Sequence, residues 1–242
     1  MAIKTFKRYE LKYRLNEQQY RAVIAALADK ASPDKYCIGG KTYGLYNLYC
    51  DTDAFDIARH SVSSPAFKQK LRIRSYVENP ADDDTVFVEL KKKYDGCVNK
   101  RRATMTYAQA LSLLSTGVGE RSGDYISDQV TRELERYVKL NPVYPRVALS
   151  YQREAYFLNE DSKIRITFDT QIKAGLVGAQ QVLLEPEGIY IMEIKISEKI
   201  PLWFVRVLTE NKIYRQGFSK YGTYFKKYIA GKDIIYHASV NI

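Results

Sequence analysis

Histidine and cysteine are scarce in this chain. Its 242 residues include two histidines, His60 and His237, and three scattered cysteines, Cys37, Cys50 and Cys97. With no C-x-x-C pair or Cys/His cluster, no zinc-type site is expected, and an odd, sparse cysteine count suits free thiols in a reducing compartment. A nucleophile–histidine pair could form only at His60, in the polar stretch Arg59-His60-Ser61, or at His237 near the end of the chain. Both read as surface side chains. No run of about 18 apolar residues occurs, so no spanning helix is expected, and residues 1–10 lack the apolar centre of a signal peptide. The expected location is cytoplasmic. Repeats and low-complexity linkers are also missing. The breaks at 79–84 and 117–124 are too short to separate domains, so residues 1–242 read as one domain.

Positive charge, by contrast, is abundant: 38 Lys and Arg against 28 Asp and Glu, a formal net charge of +10. Such a balance predicts an anionic partner, whether nucleic acid, a membrane surface or a phosphate-rich small molecule. The position of the cations decides among these. Alternating apolar residues predict strands over 9–15, 43–50, 67–76, 85–94, 98–106, 145–157, 163–169, 181–184 and 190–196. Asp95-Gly96 marks a tight hairpin turn. Asn16 reads as the N-cap of a helix over 17–29, and further helices are expected over 107–115, 125–140, 202–210 and 219–230. The class is therefore α+β with a dominant antiparallel sheet.

Side chains alternate faces along a strand, and here the alternation sorts charge. Glu10 and Lys12 share one face, with Tyr9, Leu11 and Tyr13 on the other. Lys68, Lys70, Arg72 and Arg74 lie together opposite Phe67, Leu71 and Ile73. Glu89, Lys91 and Lys93 oppose Val86, Val88 and Leu90; Lys100 and Arg102 oppose Ala103 and Met105. Tyr151 and Arg153 share a face, as do Arg165, Thr167 and Asp169, and as do Glu193 and Lys195. A solvated sheet face mixes neutral and charged residues. This one is almost wholly basic, and rows of like charge destabilise an empty sheet. If the sheet closes with this face inward, it forms a small barrel with a positive lumen, in which Arg forks and Lys point charges hold phosphate. Carboxylates among them suit a divalent ion bridging phosphate oxygens.

These residues carry a resemblance. Arg8-Tyr9-Glu10-Leu11-Lys12-Tyr13 resembles the E-x-K opening of the triphosphate tunnel metalloenzyme (CYTH) superfamily. The chain is most similar to its VTC branch, through Tyr49-Cys50-Asp51-Thr52, Leu71-Arg72-Ile73-Arg74-Ser75-Tyr76, Val88-Glu89-Leu90-Lys91 and Lys100-Arg101-Arg102. The order continues with Tyr151-Gln152-Arg153, Arg165-Ile166-Thr167-Phe168-Asp169, Met192-Glu193-Ile194-Lys195 and Ser219-Lys220-Tyr221. Any one motif is weak, but the ordered set spans nearly the whole chain. The resemblance implies a closed antiparallel tunnel barrel with helices outside and a C-terminal helix at the tunnel. It implies metal-dependent transfer of the ATP γ-phosphoryl group to inorganic polyphosphate.

By that resemblance Lys12, Lys70, Arg72, Arg74, Lys91, Lys100, Arg102, Tyr151, Arg153, Lys195 and Ser219 contact the polyanion. Lys220, Glu193 and Arg165 act in catalysis, and Glu193, Glu10 and Glu89 hold Mn2+ or Mg2+. Ser219 and Lys220 open the last helix, where backbone N–H groups favour an anion. A single Glu in the first motif, where tunnel triphosphatases often have a pair, argues against hydrolysis. A tunnel triphosphatase and a non-catalytic polyphosphate binder stay open as alternatives. Nucleic acid is not expected as a partner, because the tyrosines mostly alternate onto the apolar face and no recognised motif is present. A membrane-protein partner would leave no trace in the sequence. Of the remaining acidic residues, 82–84 read as a solvated turn and Glu133 and Glu135 as helix surface pairs with Arg132 and Arg136. Asp169 reads as an ion pair on the face it shares with Arg165. Leu202, Trp203, Phe204 and Val207 read as one helix face on the barrel wall.

Overall fold

The structure is a computed structural model that describes residues 9–231; Arg8 and His237 lie outside the described residues. Ten strands form one antiparallel sheet. Its main path runs β1 (Tyr9–Leu15), β10 (Tyr190–Ile196), β8 (Arg165–Leu176), β7 (Tyr144–Leu158), β3 (Tyr43–Asp51), β4 (Phe67–Ser75), β5 (Thr85–Tyr94) and β6 (Cys97–Thr106). Two short strands, β2 (Ala31–Pro33) and β9 (Val182–Leu183), pair with β7 and β8. The sheet curls until its edge strands β1 and β6 approach each other, yet among the described residues no hydrogen-bonded ladder joins them. The expected closed barrel is therefore a curled sheet with a seam. A side-chain pair reaches over the seam, Lys91 Nζ of β5 to Glu10 Oε2 of β1 at 2.5 Å.

Local chemistry explains the connections. Asn16 caps α1 (Glu17–Leu27) with a reciprocal Gln19 side-chain bond, and Thr106 and Gln109 do the same for α3 (Tyr107–Thr116). Asp95 and Gly96 both take positive φ, 42° and 80°, so the β5–β6 hairpin turns in two residues. The short helix α2 (Asp56–Val62), to which no element was assigned from sequence, is started by Asp51, whose carboxylate accepts the N–H groups of Ile57 and Ala58. His60 lies on it and contacts the Phe67 carbonyl.

Outer-face side chains make two cores. Ile166, Phe168, Met192 and Ile194 pack under α1 and α5 (Leu202–Glu210), with Val23, Leu27, Phe204 and Leu208. Leu71, Ile73, Val88 and Leu90 pack under α3 and α4 (Tyr125–Leu140), with Leu113 and Leu134. Each such side chain taken fully from water contributes about 1.5–3 kcal/mol. Two surface expectations change. Leu202 stays 76% exposed, so it is not part of the buried α5 face. Glu133 reaches Lys92 and Arg101 on neighbouring strands, and the buried Glu135 binds Arg121 and the Gly119 N–H, so neither pairs along its own helix.

A third core lies against the inner face. Leu45, Tyr49, Val147, Leu149 and Ile191 meet Tyr221, Tyr224 and Phe225 from the C-terminal α6 (Lys220–Tyr224) and the π turn that continues it. The tunnel is thus plugged with apolar side chains on one side of one end. Tyr221 stacks on Tyr49 at 4.8 Å and donates to the buried Asp51 at 2.5 Å, which anchors the plug.

Candidate functional site

Strand register puts the basic residues into rows. Residues directly opposite in an antiparallel pair share a face. One row reads Tyr49, Arg72, Glu89, Arg102 across β3 to β6; the next reads Lys70, Lys91, Lys100; and on the far wall Lys12, Glu193 and Thr167 align from β1 to β8. The parity expected for every basic strand holds, and the charged side chains converge.

Four carboxylates organise them. Glu89, 1% exposed, takes Arg72 on one oxygen at 2.6–2.8 Å, and Lys100 and Arg102 on the other at 2.5–2.9 Å; Arg74 stands 3.9 Å away. Asp169 accepts two bonds from Arg153, at 2.6 and 2.8 Å, and one from Lys220 at 2.5 Å. Burial would raise its pKa, but those two cations hold it down at about 2. Asp169 is therefore an ion pair, with Arg153 and Lys220 rather than Arg165. Glu193 lies between Lys12 at 3.4 Å and Lys195 at 3.2 Å. Burial opposes its ionised form, and Lys195, Lys12, Lys91 and Arg153 outweigh burial and hold it well below the usual range. Glu10 pairs with Lys91.

The cations are not all neutralised. Lys70 donates to Ser219 Oγ at 3.0 Å and, among the described residues, pairs with no carboxylate. Burial, then the charges of Lys12, Lys91 and Lys68, lower its pKa to about 7. Burial also lowers Lys100 and Lys195 to about 8, against the pull of Glu89 and Glu193. Tyr151 accepts from Arg74 at 3.1 Å and lies 4.5 Å beneath the Lys220 ammonium. Burial would raise its phenol, but Arg153, Arg74 and Lys220 bring it down to about 8. Its proton is left to donate, an arrangement suited to a phosphate oxygen.

Two placements depart from expectation. Arg165 points to the rim, where it binds Asp34 Oδ2 at 2.8 Å and the Tyr43 hydroxyl at 3.1 Å. The Ser219 hydroxyl already caps α6 by accepting the Gly222 N–H, so that five-residue helix offers no free N-terminal pocket. Sequence reasoning gave no site role to Tyr43, Asn47 or Tyr49 of β3, although Tyr49 stood in one of the quoted motifs. They share the inner face: the Tyr49 hydroxyl accepts from Arg72 and Asn47 Oδ1 accepts from Arg74, so several tyrosines stand among the arginines rather than on the apolar face. The missed signal was period-two parity over residues 43–50, a stretch without charges. Asp34, in a turn, carried no signal.

Among the described residues no three His, Cys, Asp or Glu side chains cluster as a metal cage. Magnesium-like ions in phosphate sites need only one or two carboxylates, with phosphate and water completing the shell. Glu10 and Glu193 meet that need: they lie close enough for Glu193 to oppose ionisation of Glu10, and each carries only lysine partners. Glu89 does not, because both its oxygens are saturated by arginine and lysine.

A curled antiparallel sheet with a basic lumen, helices outside and carboxylates threaded among the cations defines a triphosphate tunnel protein. The VTC domain model matches residues 7–228, and the chain belongs to that family. Among solved structures, a candidate adenylate cyclase from Bacillus halodurans is similar in fold, at 16% identity and a TM-score of 0.52, over 88% of this chain and 95% of that one. A candidate adenylyl cyclase from Hippeastrum with a dominant triphosphatase activity aligns over 90% and 95%, at 18% identity and a TM-score of 0.49. A Mimivirus capping-enzyme triphosphatase aligns over 85% and 87%, at 8% identity and a TM-score of 0.34. No curated protein matches the chain. Among the described residues, no helix is long and apolar enough to cross a membrane.

Proposed function

We propose that the chain is a metal-dependent polyphosphate polymerase that transfers the ATP γ-phosphoryl group to the end of an inorganic polyphosphate chain. The observation that carries this reading is the surplus of cations on one inward face, with Lys70 paired to no carboxylate among the described residues, in a chain of the VTC family. A surplus of that kind fits a long polyanion better than a single phosphate. Phosphoryl transfer needs positioning and charge stabilisation more than covalent catalysis. An oxygen of the terminal phosphate attacks the γ-phosphorus as the bond to the ADP oxygen breaks. That oxygen is already ionised near neutral pH, so no general base is required, in keeping with His60 on the surface.

In this reading Arg72, Arg74, Arg102, Arg153 and Lys91 hold the phosphates, and Tyr151 donates to one phosphate oxygen. Lys220 leaves Asp169 to neutralise the charge that develops on transfer. Glu193, with Glu10, would hold Mn2+ or Mg2+, which would polarise the phosphate oxygens. The β1–β6 seam favours a second reading, hydrolysis of the same triphosphate, because a gap that no backbone ladder closes among the described residues would give water a way in. Incubation with ATP and manganese, followed by gel electrophoresis and 31P NMR, separates the two. Polymer supports the proposal; free phosphate without polymer supports hydrolysis; ATP that is bound but unchanged leaves a binding protein.

A further inference from the structure

The basic lumen changes character at the end where β4 leaves the sheet. Arg74 is followed at the same parity by Tyr76, Phe87 stands opposite Arg74 on β5, and Tyr43 opens β3 opposite Arg153. Their rings form a chain with Tyr36. The centroids are 5.8 Å apart from Tyr36 to Tyr43, 6.1 Å from Tyr43 to Tyr76 and 5.8 Å from Tyr76 to Phe87. Tyr36 is 57% exposed and Tyr76 46%, so this row has ring surface open to water at the mouth. Aromatic side chains are usually mostly buried, and an exposed row of them marks a binding surface.

The row borders the phosphate-binding cations. The Arg102 guanidinium lies 4.5 Å from the centroid of Phe87, and Arg165 donates to the Tyr43 hydroxyl. Flat apolar faces beside a basic channel are what a base joined to a string of phosphates requires. Base–aromatic stacking tolerates any base but rewards the larger ring system.

We infer that Tyr36, Tyr43, Tyr76 and Phe87 form the nucleobase platform of the tunnel. The purine of the nucleoside triphosphate stacks on Tyr76 and Tyr36 while its phosphates enter between Arg74, Arg102 and Arg153. This rests on the reading that a nucleoside triphosphate is the phosphoryl donor. It adds that the donor enters by this mouth and is selected by stacking, with purine favoured over pyrimidine.

Calorimetric titration of ATP, CTP and inorganic tripolyphosphate, each with magnesium, tests it. The parent binds ATP more tightly than CTP. The double substitution Tyr36→Ala/Tyr76→Ala weakens ATP by roughly five- to a hundredfold, the span of one stacked base, and leaves tripolyphosphate unchanged. Tyr36→Phe/Tyr76→Phe retains the parent's ATP affinity, since the ring face remains. If the alanine pair fails to fold, Tyr76→Leu, which keeps bulk without a π face, carries the same comparison. Equal weakening of ATP and tripolyphosphate overturns the platform, as does unaltered ATP binding. A parent that binds tripolyphosphate but ATP no better than CTP also overturns the platform and spares the tunnel reading. A parent that binds neither ATP nor tripolyphosphate overturns both.

Discussion

Arg72 reaches a single oxygen of Glu89 with both its Nε and its Nη2, at 2.8 and 2.6 Å, across the β4–β5 pair. The other oxygen serves Lys100 and Arg102, so one buried carboxylate of β5 neutralises cations from both neighbouring strands, β4 and β6. Burial works against its ionised form, yet Arg72, Arg74, Lys100 and Arg102 hold it far below the ordinary carboxylate range. Glu89→Gln keeps the shape and leaves those cations unpaired. The expected loss is about 3–5 kcal/mol of stability, read by urea denaturation at pH 7. A carboxylate whose folded-state pKa is depressed stabilises above its unfolded value, near 4.5, and the contribution fades as pH falls below that. Parent and variant should therefore converge in acid. A constant gap between them down to low pH would show that Glu89 acts through packing alone.

Lys70 destabilises where Glu89 stabilises, although both contributions rise with pH. Burial and three neighbouring lysines lower the Lys70 pKa from 10.5 to about 7. Between those values the unfolded chain holds a proton that the folded chain lacks, so this group's contribution to stability rises with pH across that window and is least favourable below about pH 7. A polyanion in the tunnel favours the charged form and returns the proton. Tripolyphosphate binding at pH 7.5 should take up on the order of one proton. Titration in buffers of different ionisation enthalpy measures the uptake. Lys70→Met should abolish most of it and raise the melting temperature at pH 6.

Much of this arrangement was legible before the fold was known, because period-two parity survives any curvature of the sheet. Parity placed Arg72 with Arg74, Glu89 with Lys91 and Glu193 with Lys195 on one face, and each pair lies there. Pairing partners were not legible. Asp169 goes to Arg153 and Lys220, and Arg165 goes to Asp34, because strand register and a distant turn set those contacts. Short elements were also hidden: α2 depends on Asp51, five residues before it starts, and seven residues are too few to show a helical period. The apolar plug was invisible for a similar reason. Leu45, Leu149 and Ile191 share the inner parity with the charged residues, and only the fold shows which end of the lumen they fill.

Asp51 should be the most sensitive residue of that plug. It is fully buried and accepts the Tyr221 hydroxyl and the N–H groups of Thr52, Ile57 and Ala58. Asp51→Ala removes the anchor of α2 and orphans a buried phenol, at an expected cost of about 2–4 kcal/mol. Tyr221→Phe removes one hydrogen bond and should cost about 1–2 kcal/mol. Measured by urea denaturation, the double variant should cost little more than Asp51→Ala alone, since both remove the same contact. Full additivity would mean that the two residues act independently.

Under the proposed phosphoryl transfer, substitution of Lys220 should separate catalysis from binding. Its ammonium bridges Asp169 and the face of Tyr151, whereas Arg153 keeps its own two bonds to Asp169. Lys220→Ala therefore leaves Asp169 paired and the other cations in place. Tripolyphosphate affinity should change by less than about tenfold, while ATP consumption falls roughly 100- to 1000-fold, the scale for losing one preorganised group at a transferring charge. Glu193→Gln should differ in kind. It frees Lys12 and Lys195 from their carboxylate partner, so tripolyphosphate should bind at least as tightly, while the manganese concentration for half-maximal turnover rises. Equal loss of affinity and turnover in Lys220→Ala would place that lysine among the gripping residues. An unshifted manganese optimum in Glu193→Gln would move the metal away from the β1–β10 wall.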